Sequence, residues 1–550
     1  MKFSSLIHRF CFAYKTAHLF LFTFCFFVFE PRPVSAQHQP PARFELLHEH
    51  GDQGFTTVSL KQNGLALIRE KQKSEGNQRL WEIILLDSTL QQTWDTFVSV
   101  ESRQTLVGYE YVSGEVYFLF RQTDSDFSDL FLIRIYLFSH TVQQFTITTR
   151  LDFKLTHFII AGNSAVFGGY VTRQPAVLLY EMATDRIKVI PGFFVDNTEL
   201  LDLKANGNAT FNALLIERGR REKKLLLLKT FDDAGSLLLE DDIEVDDDRT
   251  ILAGTTSTLE HDELLLAGIW GQGASSNKQA SGIFSVLVDP FNKQPIHYMD
   301  FGELDHFLDY LSPRQVMKTK NKAERRRQAK KPPIFRVNVH VVKMEESAQG
   351  FALLCEVYSP SSSGNYPNYN YPYNPYYNSP FYNPYSPMGF SPYTYNPMLL
   401  NRYYNSPYSP YGSTRNSDVT ILNSSLIMFD RQGKRKGDFA FKLNEVKLPA
   451  LEQVSDFYAS HKFVQFYKKE REVYLTSNWE DGNPAEKDTV KIELKSPLDV
   501  VRNESEDQGG VRYWFGPYGY AWGYETIKNK VEQSSDPVRY VYYINKVKLD

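Results

Sequence analysis

From about residue 43 onward the chain alternates short apolar runs with polar breaks, and it almost never keeps a 3.6-residue period. The runs are five to nine residues long and rich in Leu, Ile, Val, Phe, Tyr and Thr, as at 64–68, 81–86, 116–120, 130–138, 176–180 and 283–288. Such residues suit a pleated surface, and the breaks supply the Asp, Gly, Ser and Asn of tight turns, so the pattern predicts an all-β chain. One hairpin recurs: a strongly apolar strand enters a short polar turn and a more polar strand leaves it. These turns begin near Asp87, Ser139, Thr184, Asp232, Asp289 and Asp430, with a weaker one near Ser496. Two read Asp-x-x-Gly, Asp232 to Gly235 and Asp430 to Gly433. Up to Asp289 the starts lie 45 to 57 residues apart; the next gap is 141, but it contains two insertions of about 30 and 57 residues.

Four strands per repeat of about 50 residues, some seven times over, resembles a β-propeller. The resemblance is to the architecture and spans residues 43–550. The Trp-Asp and Gly-His pairs of WD40 repeats are not found in register, and of the sialidase box only Thr93-Trp94 echoes the end. It implies a ring of about seven four-stranded blades. The rival is one or two β-sandwiches, which rarely repeat a four-strand unit so evenly. A strand at 43–48 precedes the first unit. Beside 539–544 it would complete the last blade and hide the sheet edges.

The two insertions differ from the rest. Residues 303–333 have helical character, with Leu304, Phe307, Leu308 and Leu311 on one face, followed by KTKNKAERRRQAKK. Between Arg314 and Lys331 nine basic residues meet one acid, Glu324. Residues 359–414 form a low-complexity segment of Tyr, Asn, Pro and Ser, as in Asn374-Pro375-Tyr376 and Ser409-Pro410-Tyr411. Proline at this density blocks helix and sheet, so a disordered loop is expected.

The N-terminus reads as a secretory signal. Arg9 and Lys15 precede an apolar run at 19–29, and Val34-Ser35-Ala36 precedes Gln37. Small residues at such a site suit signal peptidase, so cleavage is expected between Ala36 and Gln37, leaving 37–550 as the propeller domain. Eleven apolar residues make about 17 Å of helix, short of a bilayer core of about 30 Å. No later apolar stretch reaches 18 residues, so no transmembrane helix is expected in the mature chain. An exported protein follows: periplasmic, on the outer-membrane surface or secreted. Cys11 and Cys25 leave with the leader, and Cys355 alone makes neither a disulfide nor a cysteine zinc cluster. Composition adds exclusions. At 42% apolar and 23% charged the chain is not disordered throughout. The first 36 residues carry four basic groups and one acid, so the remainder of a chain at −4 stands at −7, unlike a broadly basic nucleic-acid binder.

Chemistry is sparse. His48-Glu49-His50 offers two imidazoles on one strand face but no third metal ligand, and the acidic run 240–248 lacks a calcium-loop pattern. There is no Gly-x-Ser-x-Gly, Ser275-x-x-Lys278 sits in a turn, and Gly271-x-Gly273 lacks a Walker lysine. No catalytic residue, metal or cofactor is assigned. The aromatic cluster at 513–524 is the most suggestive feature. Glycines between its rings favour a contact surface made by Trp514, Tyr518, Tyr520, Trp522 and Tyr524, with packing between blades as the rival reading. Arg325, Arg326 and Arg327 form a second, electrostatic candidate for an anionic surface.

The reading is an exported, non-catalytic β-propeller serving as a binding or assembly platform in a bacterial cell envelope. Its expected partner is an envelope protein or polysaccharide, not nucleic acid. A polysaccharide-acting enzyme and an adhesive surface protein are the alternatives. Acidic side chains clustered in the channel would favour the enzyme, and an apolar or scattered polar lining the platform.

Overall fold

Apolar runs too short for helices pair as antiparallel meanders, and each meander buries both faces of its middle strands. Strands are numbered β1 to β33 in chain order. In β7 (Glu115–Gln122) every residue from Val116 to Arg121 is buried, whereas β9 (Thr141–Ile147), at the rim of the same sheet, buries only Ile147. Middle strands have a neighbouring sheet on each side; outer strands have one edge in solvent. The computed structural model describes residues 42–49, 52–122, 129–218, 223–259, 263–273, 279–289, 291–292, 294–335, 337–360, 419–448, 451–460, 462–479, 486–504, 509–530 and 538–549. The expected leader at 1–36, its expected cleavage site and nearly all of the 359–414 insertion lie outside the described residues.

Eight sheets form, and they are blades of a β-propeller. Seven are four-stranded meanders of consecutive strands, blade 1 at 56–101, blade 2 at 104–147, blade 3 at 153–190, blade 4 at 198–245, blade 5 at 249–300, blade 6 at 338–448 and blade 7 at 455–491. The first strand of each lies against the first strand of the next: β2 (Thr56–Ser59), β6 (Gln104–Val112), β10 (Phe153–Ala161), β14 (Thr198–Ala205), β18 (Arg249–Thr256), β22 (Asn338–Ser347) and β26 (Ser455–Ala459). Blade 8 continues the series. Its β31 (Gly510–Phe515) packs on β26 and on the 3-10 turn Lys61–Asn63 of blade 1, so the ring closes.

The expected seven blades are therefore corrected to eight. The count followed the turn before each outer strand: blades 1 to 6 supply one each, blade 7 none that was counted, and blade 8 has no such turn. Its outer strand is β1 (Arg43–Leu47), which pairs antiparallel with β33 (Val538–Lys548) from Arg43 opposite Asn545 to Leu47 opposite Val541. The expected N-terminal strand thus completes the last blade. The weak turn near Ser496 lies on the link from blade 7 to β30 (Asp499–Glu504). That strand shares one edge of β32 (Tyr518–Asn529) with β31.

The core is a set of seams between neighbouring blades. Trp81 of blade 1 meets Phe120 of blade 2 edge-on at 5.0 Å, within a cluster that includes Ile68, Ile83, Phe118 and Ile133. The Asp-x-x-Gly turns form as read. Asp232 Oδ1 accepts from the Ser236 amide at 2.7 Å and Asp430 Oδ1 from the Lys434 amide at 2.8 Å, while Gly235 and Gly433 take φ of 74° and 72°.

The first insertion differs from its expected form. Residues 301–311 are turns; the helix, α1 (Pro313–Gln328), starts only at Pro313. A proline suits the first helical position and disfavours helix before it. Leu304, Phe307 and Leu308 are buried without a helix: Phe307 stacks on Phe301 at 4.1 Å, in the cluster shared with Phe351 and Leu353 of blade 6. No helix among the described residues is long and apolar enough to cross a membrane.

Candidate functional site: the central channel

Inner strands of a ring leave a channel between them, and here it widens into a cavity of about 1610 Å³ lined by residues of all eight blades. Most of its charged lining is neutralised internally. Lys343 of β22 lies 2.5 Å from Asp456 of β26 and 2.7 Å from Glu345. Burial alone would lower the lysine; the two carboxylates override it and hold it at about 12. Glu346 is paired with Arg431 at 2.7 Å. Lys204 of β14 donates to the Thr256 carbonyl at 2.6 Å and the Met344 carbonyl at 3.1 Å, joining blades 4, 5 and 6.

On the side formed by blades 2, 7 and 8 the groups are not neutralised. Arg512 of β31 donates to the Gln453 carbonyl at 2.5 Å and the Val511 carbonyl at 2.8 Å, and its guanidinium lies 5.5 Å from the centre of the Trp522 ring. Among the described residues it has no ion pair, although its field reaches the carboxyls of Glu452 and Glu356 and the phenols of Tyr109 and Tyr520. Glu110 of β6 and Glu452 before β26 also line the cavity, each half-buried and without a hydrogen bond to the described residues. Burial pushes Glu110 well above the usual carboxyl range, and it raises Glu452 to about 7 against the pull of Arg512. Behind them Glu356 is fully buried and accepts from the Ser455 amide at 2.8 Å and hydroxyl at 3.0 Å, yet burial still raises it to about 7.

The aromatic cluster is brought to this place, but not as the exposed surface expected. Trp514, Tyr520 and Tyr524 are buried in the seam between blades 8 and 1 with Phe44, Phe55 and Leu65, and only their margins reach the cavity. Trp514 donates its indole N–H to the Gly64 carbonyl at 2.9 Å, and Tyr524 Oη accepts the Phe55 amide at 2.8 Å. The rival reading, packing between blades, therefore describes these three. Trp522 is half-buried and lines the cavity. Tyr518 faces elsewhere, with Lys546 Nζ 4.0 Å from its ring centre.

The three arginines also separate. Arg325 is exposed, whereas Arg326 donates to the Pro332 carbonyl at 2.8 Å and Arg327 is paired with Asp300 at 2.9 Å. They do not form one patch. His48 lies edge-on to Tyr524 and Tyr540, His50 is outside the described residues, and no cluster of three metal-ligating side chains occurs among the described residues.

Arg512, Glu110 and Glu452 were missed in the sequence. The available signal was faint: an acid between Tyr109 and Tyr111, and an arginine within Val511–Phe515, each interrupting an otherwise apolar strand.

No family model matches the chain, and no curated protein matches it. Solved structures with a similar arrangement include the β-propeller domain of the Trilobed protease from Pyrococcus furiosus, at 9% identity and a TM-score of 0.33 over 81% of this chain and 95% of that one. They also include the Pyrococcus horikoshii acylaminoacyl peptidase, at 9% and 0.32 over 81% of this chain and 52% of that one, so this chain spans about half its length. A third is the polysaccharide lyase Uly1, at 6% and 0.36 over 81% of this chain and 90% of that one. The strand pairing itself makes this chain an eight-bladed β-propeller.

Proposed function

We propose that the protein is an exported, non-catalytic β-propeller of the bacterial cell envelope that binds a neutral saccharide in its central channel and so acts as an assembly platform. The observation that carries this reading is the cavity wall formed by Trp522, Arg512, Tyr109, Glu110 and Glu452. A sugar presents an apolar ring face and a rim of hydroxyls. The indole suits the face, and the guanidinium, phenol and carboxyls suit the rim as donors and acceptors. In the remaining lining Lys343, Glu345, Asp456 and Glu346 are held in ion pairs, which leaves this wall to supply the polar contacts.

Absence of catalysis rests on the state of the carboxyls. Glycoside cleavage by two carboxyl groups needs one protonated and one ionised at the same pH. Burial pushes Glu110 and Glu452 in the same direction, and Asp456 is engaged by Lys343. A second reading, a polysaccharide-acting enzyme, is favoured by one observation: burial raises Glu452 to about 7 against the pull of Arg512, and a carboxyl raised by burial can serve as a general acid.

Titration calorimetry with a panel of neutral oligosaccharides tests the proposal. Binding should weaken at least tenfold in Trp522→Ala with the fold retained. No binding by any member, or binding indifferent to Trp522, overturns it; release of new reducing ends, abolished in Glu452→Gln, would establish the enzyme instead.

A further inference from the structure

The basic insertion divides its charge between two faces of α1. One face holds the helix to the propeller. Ala323 is buried, Lys320 Nζ donates to the Leu304 carbonyl at 2.8 Å and the Asp305 carbonyl at 3.2 Å, and Arg327 is paired with Asp300. At the start, Pro313 takes the first helical position, and the Gln315 side chain accepts the Ser312 amide at 3.0 Å. The helix is thus capped and fastened along its length.

The opposite face carries Arg314, Lys318, Lys322 and Arg325. Steps of four, four and three residues keep them within one stripe of the helix, with neighbours about 5–6 Å apart and the row about 16 Å long. All four are exposed, and none has a hydrogen bond or ion pair among the described residues. On one side Met317, Asn321, Glu324 and Gln328 carry no positive charge; on the other Arg326, turned to the Pro332 carbonyl, adds one cation beside Lys322 and Arg325.

We propose that this stripe binds a linear acidic polysaccharide, one carboxylate or sulfate to each successive cation. A narrow row of cations along one helix face matches an extended chain of regularly spaced anions. A membrane surface is better met by a wide basic patch with a broad apolar face, and Met317 is the only large apolar side chain beside the row. Single-stranded nucleic acid is gripped by cations interleaved with stacking aromatics, and no aromatic flanks the stripe. The inference does not depend on the channel.

The test measures binding of the full chain to polygalacturonate, against anionic phospholipid vesicles and poly(U), from 50 to 500 mM salt. Polygalacturonate should bind most tightly and weaken steeply with salt, because exposed charge contacts are screened. Replacing Arg314, Lys318, Lys322 and Arg325 with Ser should weaken it at least tenfold and flatten the salt dependence. Thermal stability should change little, since none of the four has a hydrogen bond or ion pair among the described residues. The double variant Arg314→Lys with Arg325→Lys should retain binding, and Trp522→Ala should leave it untouched. Tighter binding of vesicles or of poly(U), or a quadruple variant that binds like the parent, overturns the proposal.

Discussion

Arg43 and Glu525 form an ion pair at 2.8 Å with both side chains fully buried, although 482 residues separate them in the chain. Arg43 lies in the N-terminal strand and Glu525 in β32, so the pair locks β1 onto the blade it completes. The arginine's other donors are also used. They reach Glu45 at 2.6 Å and Asn545 Oδ1 at 2.7 Å, and the guanidinium stands 4.3 Å from the Tyr543 ring centre. Arg471 supplies a second cation to Glu525 at 3.0 Å.

Removing one partner of such a network leaves the other charge buried, at a cost of about 3–5 kcal/mol. Arg43→Ala should lose about that much in chemical denaturation. Arg43→Lys should recover only part of it, because an ammonium lacks the planar fork that serves several acceptors at once. An Arg43→Ala variant as stable as the parent would mean that the strand contributes little to ring closure.

The two tryptophans of the aromatic cluster should behave differently. Trp514 is buried and bonded to Gly64 across the last seam, so Trp514→Ala should cost about 3–5 kcal/mol. Trp522 faces the cavity, and Trp522→Ala should cost less than half as much while removing the saccharide. Urea titrations of both variants beside calorimetry separate the roles.

Buried Glu356 makes a pH prediction. Its carboxyl titrates near 7 in the folded protein and in the ordinary carboxyl range, near 4.5, when unfolded. Between these values the folded state holds more protons than the unfolded state. Its contribution is therefore complete below about pH 4.5 and is lost as pH rises through 7. His157 and His340, held down to about 3 and 4 by burial, work in the opposite direction between those values and 6.5. The comparison with Glu356→Gln isolates the effect: the variant should gain stability relative to the parent as pH rises from 4.5 to 8. A constant difference across that range would refute the assignment.

Gly433 ends the blade 6 turn at φ 72°, and a Cβ there would stand 2.7 Å from Leu265 Cδ1 of blade 5. Gly433→Ala should cost about 1–2 kcal/mol from the backbone alone. Gly76, at φ 62° with nothing within 4 Å, should show the backbone cost without the clash. Thermal midpoints of the two variants measure the difference.

The architecture was legible because its causes are local. Strand length, apolar runs and Asp-x-x-Gly turns recur every 50 residues or so, and a hairpin is decided by residues near one another in the chain. The pairing of 43–47 with the C-terminal strand was legible too, since an unpaired strand at one end of a repeat array needs an edge at the other. The eighth blade was not. Its outer strand arrives from the far end of the chain, so it lacks the turn by which blades 1 to 6 are counted. The positions of individual side chains were likewise decided only by assembly. Trp514 and Trp522 read alike in sequence, yet one fills the seam to blade 1 and the other borders the channel. Arg325 and Arg327 sit two residues apart on one helix, but Asp300 holds the second against the propeller and leaves the first in solvent. Arg512, Glu110 and Glu452 stand on different blades, and no local pattern links them. Sequence periodicity determines which residues leave water together within a blade, and only closure of the ring determines which side chains of different blades then face one another.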